Sequence, residues 1–202
     1  MPRIIDCIQG SDEWLAQRCG VITASNFSKV FTGAGKASTQ ADALLHTLVA
    51  ERMTGKPTET FKSDAMQRGN DLEPEARDMF ELETGLSTEL VGLIKMDDYE
   101  VGCSPDSLIG DDSGLEIKCP APATHCQYLM DGTVPLKYIP QIMGCLWITG
   151  RQWWDFVSYH ETMPALLVRV ERDEEYIGKL ADAVEKACKE IEAGVNAIRK
   201  MK

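Results

Sequence analysis

Three charged side chains lie close together in the sequence, in a stretch that is typical of two strands joined by a turn. Asp106 precedes Glu116 by ten positions and Lys118 by twelve, and the residues between them are rich in Gly and Asp. A hairpin would bring Asp106 beside Glu116, and the two-residue period of a strand puts Glu116 and Lys118 on one face. Ile117 would then point the opposite way, into the core. We therefore expect Asp106, Glu116 and Lys118 to converge.

Such a set has the chemistry of phosphodiester hydrolysis. Two neighbouring carboxylates repel each other unless a cation lies between them, and an all-oxygen site suits Mg²⁺, with Mn²⁺ as a substitute. A bound metal neutralises charge on a phosphoryl oxygen, and Lys118 can hold or help to deprotonate the attacking water. The alternative is a surface hairpin in which Glu116 and Lys118 pair in solvent. The apolar Leu115 and Ile117 beside the charged pair favour a partly buried strand.

A further carboxylate comes from the acidic stretch 68–80. Glu73 lies one turn before Arg77 in a helical pattern. We predict that Glu73 points toward Asp106 and Glu116 and contacts the metal directly or through water. The other acidic side chains of this stretch are expected on a solvated helix face.

Hydrophobic periodicity indicates the elements that must position these residues. Ser11, and then Thr23 or Ser25, are expected to cap two short helices. Longer helices are predicted over 39–53, 64–84, 124–130, 135–149 and 173–199, and strands within 86–95, 99–109, 115–119, 153–159 and 166–171. We predict a single α/β domain over 1–202, with a helical part to about 85, a sheet core over about 86–171 and a C-terminal helix over about 173–199. A mixed central β-sheet would be flanked by helices.

Composition limits the classes of protein that the chain can represent. It has 202 residues, 44% hydrophobic and 26% charged, which fits one globular domain. The formal net charge of −11 means that the molecule as a whole repels polyanions, so contact with nucleic acid needs locally clustered positive charge. No apolar run is long enough to span a membrane, and the first residues lack the apolar core of a secretory signal. We therefore expect a soluble, cytoplasmic protein without membrane contact.

The seven cysteines are spread along the chain without a C-x-x-C pair. This usage is typical of free thiols in a reducing compartment. A zinc or iron–sulfur site is not expected, because such sites usually take ligands in closely spaced pairs.

Several motifs occur in a specific order. They are GSDEWLAQR from Gly10 and GVITAS from Gly20, RGNDLE from Arg68, SPD at Ser104 with LEIKCP from Leu115, Tyr138 with Gln141, and ERDEEY from Glu171. In this order and spacing, from about 10 to about 176, the sequence resembles the lambda-type (YqaJ-like) phage recombination exonucleases of the PD-(D/E)xK nuclease superfamily. The resemblance implies a restriction-endonuclease-like core.

The activity that the resemblance implies is that of a Mg²⁺-dependent exonuclease. It would degrade one strand of duplex DNA from the 5′ end, release mononucleotides and leave a 3′ single-stranded tail. Asp106, Glu116 and the backbone carbonyl of Ile117 would hold the metal, Lys118 would serve the attacking water, and Glu73 would support the metal site.

A second set of residues would bind the DNA end, again by resemblance. Arg18, Ser25, Ser104 and Gln141 would form the pocket for the 5′-phosphate, Trp14 would lie against the end of the duplex, and Tyr138 would contact substrate. An arginine suits this role because its planar fork matches a phosphate dianion. The alternatives are Ser25 as a helix cap, Gln141 as a solvated helix residue and Trp14 as a core residue.

The same resemblance implies a ring-shaped homotrimer threaded by DNA, with a single-strand annealing protein as partner. A positive channel inside a negative exterior would reconcile the acidic chain with a polyanionic substrate. The candidate channel charges are Lys29, Lys36, Lys62, Arg68, Lys95 and Lys137. Two alternatives stay open, a PD-(D/E)xK endonuclease that cuts internal bonds and a non-catalytic DNA-binding protein on the same fold.

Overall fold

The computed structural model describes residues 2–58 and 63–201, in which eight strands form two four-stranded sheets flanked by six α-helices. The strands are β1 (Arg3–Ile5), β2 (Ile22–Thr23), β3 (Leu93–Lys95), β4 (Val101–Cys103), β5 (Ser107–Ile109), β6 (Ser113–Lys118), β7 (Trp153–Ser158) and β8 (Leu166–Glu171). The helices are α1 (Asp12–Arg18), α2 (Ala41–Thr54), α3 (Asp64–Thr84), α4 (Pro122–Asp131), α5 (Ile139–Thr149) and α6 (Glu174–Arg199).

Both sheets are mixed, which confirms the predicted α/β class. The first has the order β1-β3-β4-β2, in which only β2 and β4 are parallel, and the second has the order β5-β6-β7-β8, in which only β6 and β7 are parallel. The strands thus form two sheets and not the single central sheet expected. The chain passes from one sheet to the other at Ser104–Asp106, where Pro105 has no N–H with which to continue a strand ladder.

The predicted hairpin is present as β5 and β6. Ser107 pairs with Leu115 in antiparallel register, and on its other side β6 pairs with β7, so β6 lies in the middle of the second sheet. Arg151 stabilises the turn, because its guanidinium donates to the carbonyl oxygens of Ile109 and Gly110 at 3.2 and 2.7 Å. β6, the strand that carries Glu116, is thus hydrogen-bonded along both edges, to β5 and to β7.

Local capping places the helices. The Trp14 N–H donates to Ser11 Oγ at 3.2 Å, so Ser11 caps α1 as predicted. The second short helix is a 3₁₀ helix, Ala24–Lys29, and its N-cap residue Thr23 makes no side-chain capping bond, because its hydroxyl accepts from Arg18. α2 and α3 each end at a glycine with positive φ, as the sequence predicts. The part up to residue 85, expected to be helical, also contributes β1 and β2.

The core has two clusters, one on each side of the second sheet. The larger one packs α2, α5 and α6 around aromatic side chains such as Phe27, Trp154 and Phe156. In the smaller one, Ala76 and Phe80 of α3 pack against Leu115 and Ile117 of β6. Ile117 therefore points into the core, as the strand period predicts. None of the helices found in residues 2–58 and 63–201 is long and apolar enough to cross a membrane.

We predict that Gly144→Ala destabilises the fold while Gly178→Ala does not. A methyl group on Gly144 in α5 would overlap the ring of fully buried Phe27, whereas one on exposed Gly178 in α6 meets nothing within 4 Å. Overpacking costs about 1–3 kcal/mol, and alanine in place of an exposed helical glycine gains about 0.5–1 kcal/mol. Urea unfolding measures both changes, and equal effects of the two substitutions would contradict this packing.

Candidate active site

The hairpin brings Asp106, Glu116 and Lys118 together. Asp106 Oδ2 accepts from the Ile117 N–H at 2.5 Å, which ties the start of β5 to the end of β6. Glu116 is fully buried, and its Oε1 accepts from both Lys118 Nζ and Gln141 Nε2, the latter at 2.6 Å. Gln141 lies on α5, so its hydrogen bond to this carboxylate oxygen ties α5, which belongs to the larger core cluster, to the hairpin.

Glu73 on α3 faces the same cluster and is held by an arginine. Arg77, one turn later, donates to Glu73 Oε1 at 2.5 Å and to Ser107 Oγ at 2.9 Å, and it lies 3.4 Å from the Asp106 carbonyl oxygen. The Arg77 side chain is only 13% exposed. Arg77 therefore fixes α3 against the start of β5. The four-residue spacing of Glu73 and Arg77 is the sequence signal of their ion pair. The contact of Arg77 with the hairpin was not predicted.

The carboxylates of Glu73, Asp106 and Glu116, which together with Lys118 we call the acidic cluster, all have a raised pKa, and burial is the largest cause at each. Burial raises the pKa of Glu116 to about 7, and the charges of Asp106 and Glu73 add to this effect. Burial raises the pKa of Asp106 as well, and burial together with the charge of Asp106 raises that of Glu73. Burial alone would lower the pKa of Lys118, but Glu116 and Asp106 outweigh it and raise that pKa. With three acids against Lys118 and Arg77, full ionisation leaves one net negative charge.

The residues fit a divalent metal ion. Glu116 Oε2 is buried and has no hydrogen-bond partner in the described part of the chain, which is costly for an ionised carboxylate unless a cation reaches it. The neighbouring donors are carboxylate oxygens, the ligands that Mg²⁺ and Mn²⁺ prefer. Within residues 2–58 and 63–201, no group of three or more His, Cys, Asp or Glu side chains is placed so that it could hold a metal ion as it stands. Lys118 and Gln141 donate to Glu116 Oε1, and the Ile117 N–H donates to Asp106 Oδ2, so these two oxygens are already engaged within the protein.

Tyr138, expected to contact substrate, lies beside the catalytic candidate lysine. Its ring packs against Phe156 with centroids 5.5 Å apart, and Lys118 Nζ lies 5.5 Å from the ring centroid. Lys137 Nζ is 4.8 Å from the same ring and 5.5 Å from that of Tyr128. The aromatic faces thus hold two ammonium groups at the edge of the acidic cluster.

A second polar group forms around Arg18 at the end of α1. Its guanidinium donates to Ser104 Oγ at 3.1 Å, to Thr23 Oγ1 at 3.1 Å and to Ser25 Oγ at 3.3 Å, and it lies 4.2 Å from the ring centroid of Trp14. Burial lowers the pKa of Arg18 to about 10. We call these five residues the hydroxyl pocket. The structure brings together four residues predicted from the sequence and adds Thr23, whose place in GVITAS beside Ser25 is the only sequence signal for it.

Within the hydroxyl pocket, the Trp14 indole connects Ser104 to the backbone at Gly92. Its indole N–H donates to Ser104 Oγ at 2.9 Å and lies 3.2 Å from the Gly92 carbonyl oxygen. Because Ser104 Oγ accepts from both Trp14 and Arg18, its own hydroxyl proton is left to donate elsewhere. Ser25 lies inside the 3₁₀ helix and does not cap it, so the pocket, and not the cap, accounts for its hydroxyl.

The hydroxyl pocket and the acidic cluster are neighbours along the chain. Ser104 belongs to the first and Asp106 to the second, so their Cα atoms are at most about 7 Å apart. Gln141, expected in the phosphate pocket, donates to Glu116 and belongs by contact to the acidic cluster. Its role at a phosphate stays a prediction.

The structure describes five of the six candidate channel residues. Arg68 donates to the Pro120 carbonyl oxygen at 3.2 Å and to Glu161 at 2.8 Å, so it braces the chain just after β6. Lys137 lies near the acidic cluster, as described above, and Lys62 lies outside the described residues. The channel itself stays a prediction for the remaining candidates Lys29, Lys36 and Lys95.

Comparisons with known proteins bear on the family of the chain. The model of the YqaJ-like viral recombinase domain matches residues 13–152, which include every residue of both polar groups. The structure is similar to that of an alkaline exonuclease, LHK-Exo, from Laribacter hongkongensis, with 36% identity, 95% of this chain and 97% of that chain covered, and a TM-score of 0.87. The complex of LHK-Exo with dAMP gives the same identity and coverage and a TM-score of 0.86.

A more distant likeness extends to the fold alone. A phage related exonuclease from Haemophilus somnus 129PT is 18% identical, with 90% of this chain and 96% of that chain covered and a TM-score of 0.67. Among curated proteins, no match to this sequence is found.

We predict that, in buffer with a chelator, ionisation of Glu116 destabilises the fold as the pH rises from 4.5, the ordinary pKa, to about 7. In this window the folded chain holds a proton that the unfolded chain has released, so the free energy of unfolding falls with pH. We expect a fall of a few degrees in melting temperature, since about 1 kcal/mol moves it by about 2–4 °C at this size.

Circular dichroism melts of wild type and two variants test this pH dependence. Glu116→Gln should flatten the curve, whereas Glu175→Gln, which removes an exposed carboxylate from α6, should leave it as in wild type. An unchanged slope in Glu116→Gln would show that this carboxylate does not carry the effect.

Proposed function

The chain belongs to the family of YqaJ-like viral recombinase domains, and from this premise we propose that it is a Mg²⁺-dependent 5′-to-3′ exonuclease acting on linear duplex DNA. The family and the likeness to an alkaline exonuclease make it a DNA exonuclease. The metal, the polarity and the product, mononucleotides with a 3′ single-stranded overhang left on the DNA, are our proposal. The known complex of LHK-Exo with dAMP supports release of mononucleotides.

One observation carries the proposal: a pocket with an arginine and hydroxyl groups lies two residues from a buried acidic cluster. A terminal phosphate in the hydroxyl pocket would accept from Arg18 and from the free hydroxyl proton of Ser104. The next phosphodiester along the strand would then lie toward Asp106 and Glu116. An endonuclease needs no pocket for a terminal phosphate, so this arrangement favours cleavage from an end.

The acidic cluster supplies the hydrolytic chemistry. Asp106 and Glu116 Oε2, which has no hydrogen-bond partner in the described part of the chain, would hold Mg²⁺, with the Ile117 carbonyl and Glu73 in support. When bound, the ion would neutralise phosphoryl charge and lower the pKa of water. Lys118 carries a raised pKa and is therefore an ammonium group at neutral pH. It can donate to and orient an attacking water and offset the charge that develops on the phosphate. Tyr138 and Gln141 hold Lys118 and Glu116 in place.

Assembly and location extend the proposal. We propose a homotrimeric ring that encloses the duplex, with a single-strand annealing protein as partner, because a chain with a net charge of −11 needs a locally positive surface to retain DNA. A cytoplasmic location likewise stays a prediction.

We predict that linear duplex with a 5′ label loses that label as mononucleotide before a 3′ label is released. The reaction should require Mg²⁺ or Mn²⁺, and Asp106→Ala or Lys118→Ala should abolish it because each removes part of the acidic cluster. Time courses resolved on denaturing gels measure this order. Internal fragments would indicate the endonuclease, and no metal-dependent release would indicate a non-catalytic DNA-binding protein.

We predict that Arg18→Ala lowers the preference for 5′-phosphorylated over 5′-hydroxyl ends by about 10–100-fold, because hydrogen bonds to charged groups contribute about 1.5–3 kcal/mol. The ratio of kcat/KM values for the two ends measures this preference. Arg199→Ala, which removes an exposed arginine at the end of α6, should leave the ratio unchanged. If Arg18→Ala slowed both ends equally, the assignment of the phosphate pocket would be wrong.

A further inference from the structure

The segment Ser104–Asp106 links the hydroxyl pocket to the acidic cluster, yet no strand ladder holds its middle. The first sheet ends at Cys103 and the second begins at Ser107. Pro105 has no N–H and is buried, so its carbonyl is its one backbone polar group and needs a partner.

That partner is the side chain of Gln9, in the loop between β1 and α1. Gln9 Nε2 donates to the Pro105 carbonyl oxygen at 2.7 Å and to the Val91 carbonyl oxygen at 2.8 Å, which uses both of its amide hydrogens. Val91 precedes Gly92, whose carbonyl oxygen lies 3.2 Å from the Trp14 indole nitrogen. The Gln9 amide therefore joins the backbone of residues 91–92, which contacts Trp14 of the hydroxyl pocket, to Pro105, which lies between the hydroxyl pocket and the acidic cluster.

The loop that carries Gln9 is itself firmly seated. β1 pairs with β3, with Ile5 opposite Leu93, and a Cβ atom on Gly92 would overlap the Cys7 carbonyl. The backbone of this loop thus packs directly on the segment before β3. Gln9 is exposed as a whole residue, and only its amide reaches inward. Substituting it removes two hydrogen bonds without opening the core.

We propose that Gln9 is a positioning residue that sets the distance between the hydroxyl pocket and the acidic cluster. The proposal rests on the proposed function, in which a terminal phosphate occupies the pocket and the next phosphodiester meets the acids. Gln9 touches neither phosphate. By holding Pro105 it fixes how the side chains of Ser104 and Asp106 are oriented relative to each other, so that adjacent phosphates of one strand would meet the pocket and the acids together. This arrangement would make one nucleotide the unit of cleavage.

Two variants separate the hydrogen bonds from the packing. Gln9→Ala removes the amide, and Gln9→Glu keeps the size but places a carboxylate against two carbonyl oxygens. Gln152→Ala is the matched control, because it removes an exposed glutamine whose amide donates to the Gly150 carbonyl oxygen at 3.2 Å, at the far end of α5. All proteins are first compared by melting temperature to verify that they fold.

The readouts are ones that a merely structural role would not move. They are the kcat/KM ratio for 5′-phosphorylated over 5′-hydroxyl duplex, the lengths of the released products, and the affinity ratio for the same two duplexes in EDTA, measured by fluorescence anisotropy. We expect both Gln9 variants to lower the two ratios at least about fivefold, as for the loss of two hydrogen bonds, and to release some dinucleotides. Gln152→Ala should match wild type.

Each outcome bears on a separate claim. If wild type prefers phosphorylated ends and both Gln9 variants keep its ratios and single-nucleotide products, the positioning role is overturned and the proposed function stands. A uniform loss of rate on both ends, with unchanged ratios, also overturns the positioning role. If wild type itself releases no nucleotides from DNA ends, the proposed function fails, and the inference fails with it.

Discussion

The fold places three carboxylates of like charge close together in the candidate active site, and much of the structure around them serves to stabilise this arrangement. Asp106 and Glu116 come from a hairpin and Glu73 from a helix, and burial raises the pKa of each, with the charge of neighbouring carboxylates adding to this effect at Glu116 and Glu73. The fold tolerates this because β6 is paired on both edges and because Lys118 and Arg77 offset two of the three charges. Among the described residues, no protein group donates a hydrogen bond to the buried Glu116 Oε2. A cation that reached it would relieve a strain that the folded chain otherwise carries.

The break between the two sheets, at Ser104–Asp106, places the acidic cluster next to the hydroxyl pocket. Had residues 101–109 formed one continuous strand, its alternation would have turned Ser104 and Asp106 to the same face within a single ladder. Pro105 instead ends the pairing, and side chains replace the lost ladder: Gln9 binds its carbonyl, and Arg77 binds Ser107 just beyond it. The geometry between pocket and acids is therefore set by side-chain hydrogen bonds, which single substitutions can remove one at a time.

Local features were predictable from the sequence, and long-range ones were not. The strand period placed Glu116 and Lys118 together, Ser11 marked the start of α1, and Gly85 marked the end of α3, because each depends on residues near in the chain. β1 and β2, of three and two residues, are too short to show a period. The contact between Gln141 and Glu116 spans 25 residues, and no local pattern encodes which side chains a tertiary fold brings into contact. The division into two sheets was not predicted, because a proline between two short strands marks an interruption but does not indicate with which distant strands each of them pairs.

For the phosphate-binding role that we propose for Arg18, the way its side chain is held has a consequence for how quickly a DNA end would be captured. Three hydroxyls and the indole face of Trp14 fix the guanidinium in the free chain, so its rotamer entropy is already lost on folding. An arriving end need not wait for the arginine to find its orientation. Encounter is then governed by diffusion and by the field around the opening, and the time that an end stays bound is governed by the strength of its contacts. Such a site favours rapid testing of many ends over slow, adaptive closure around one.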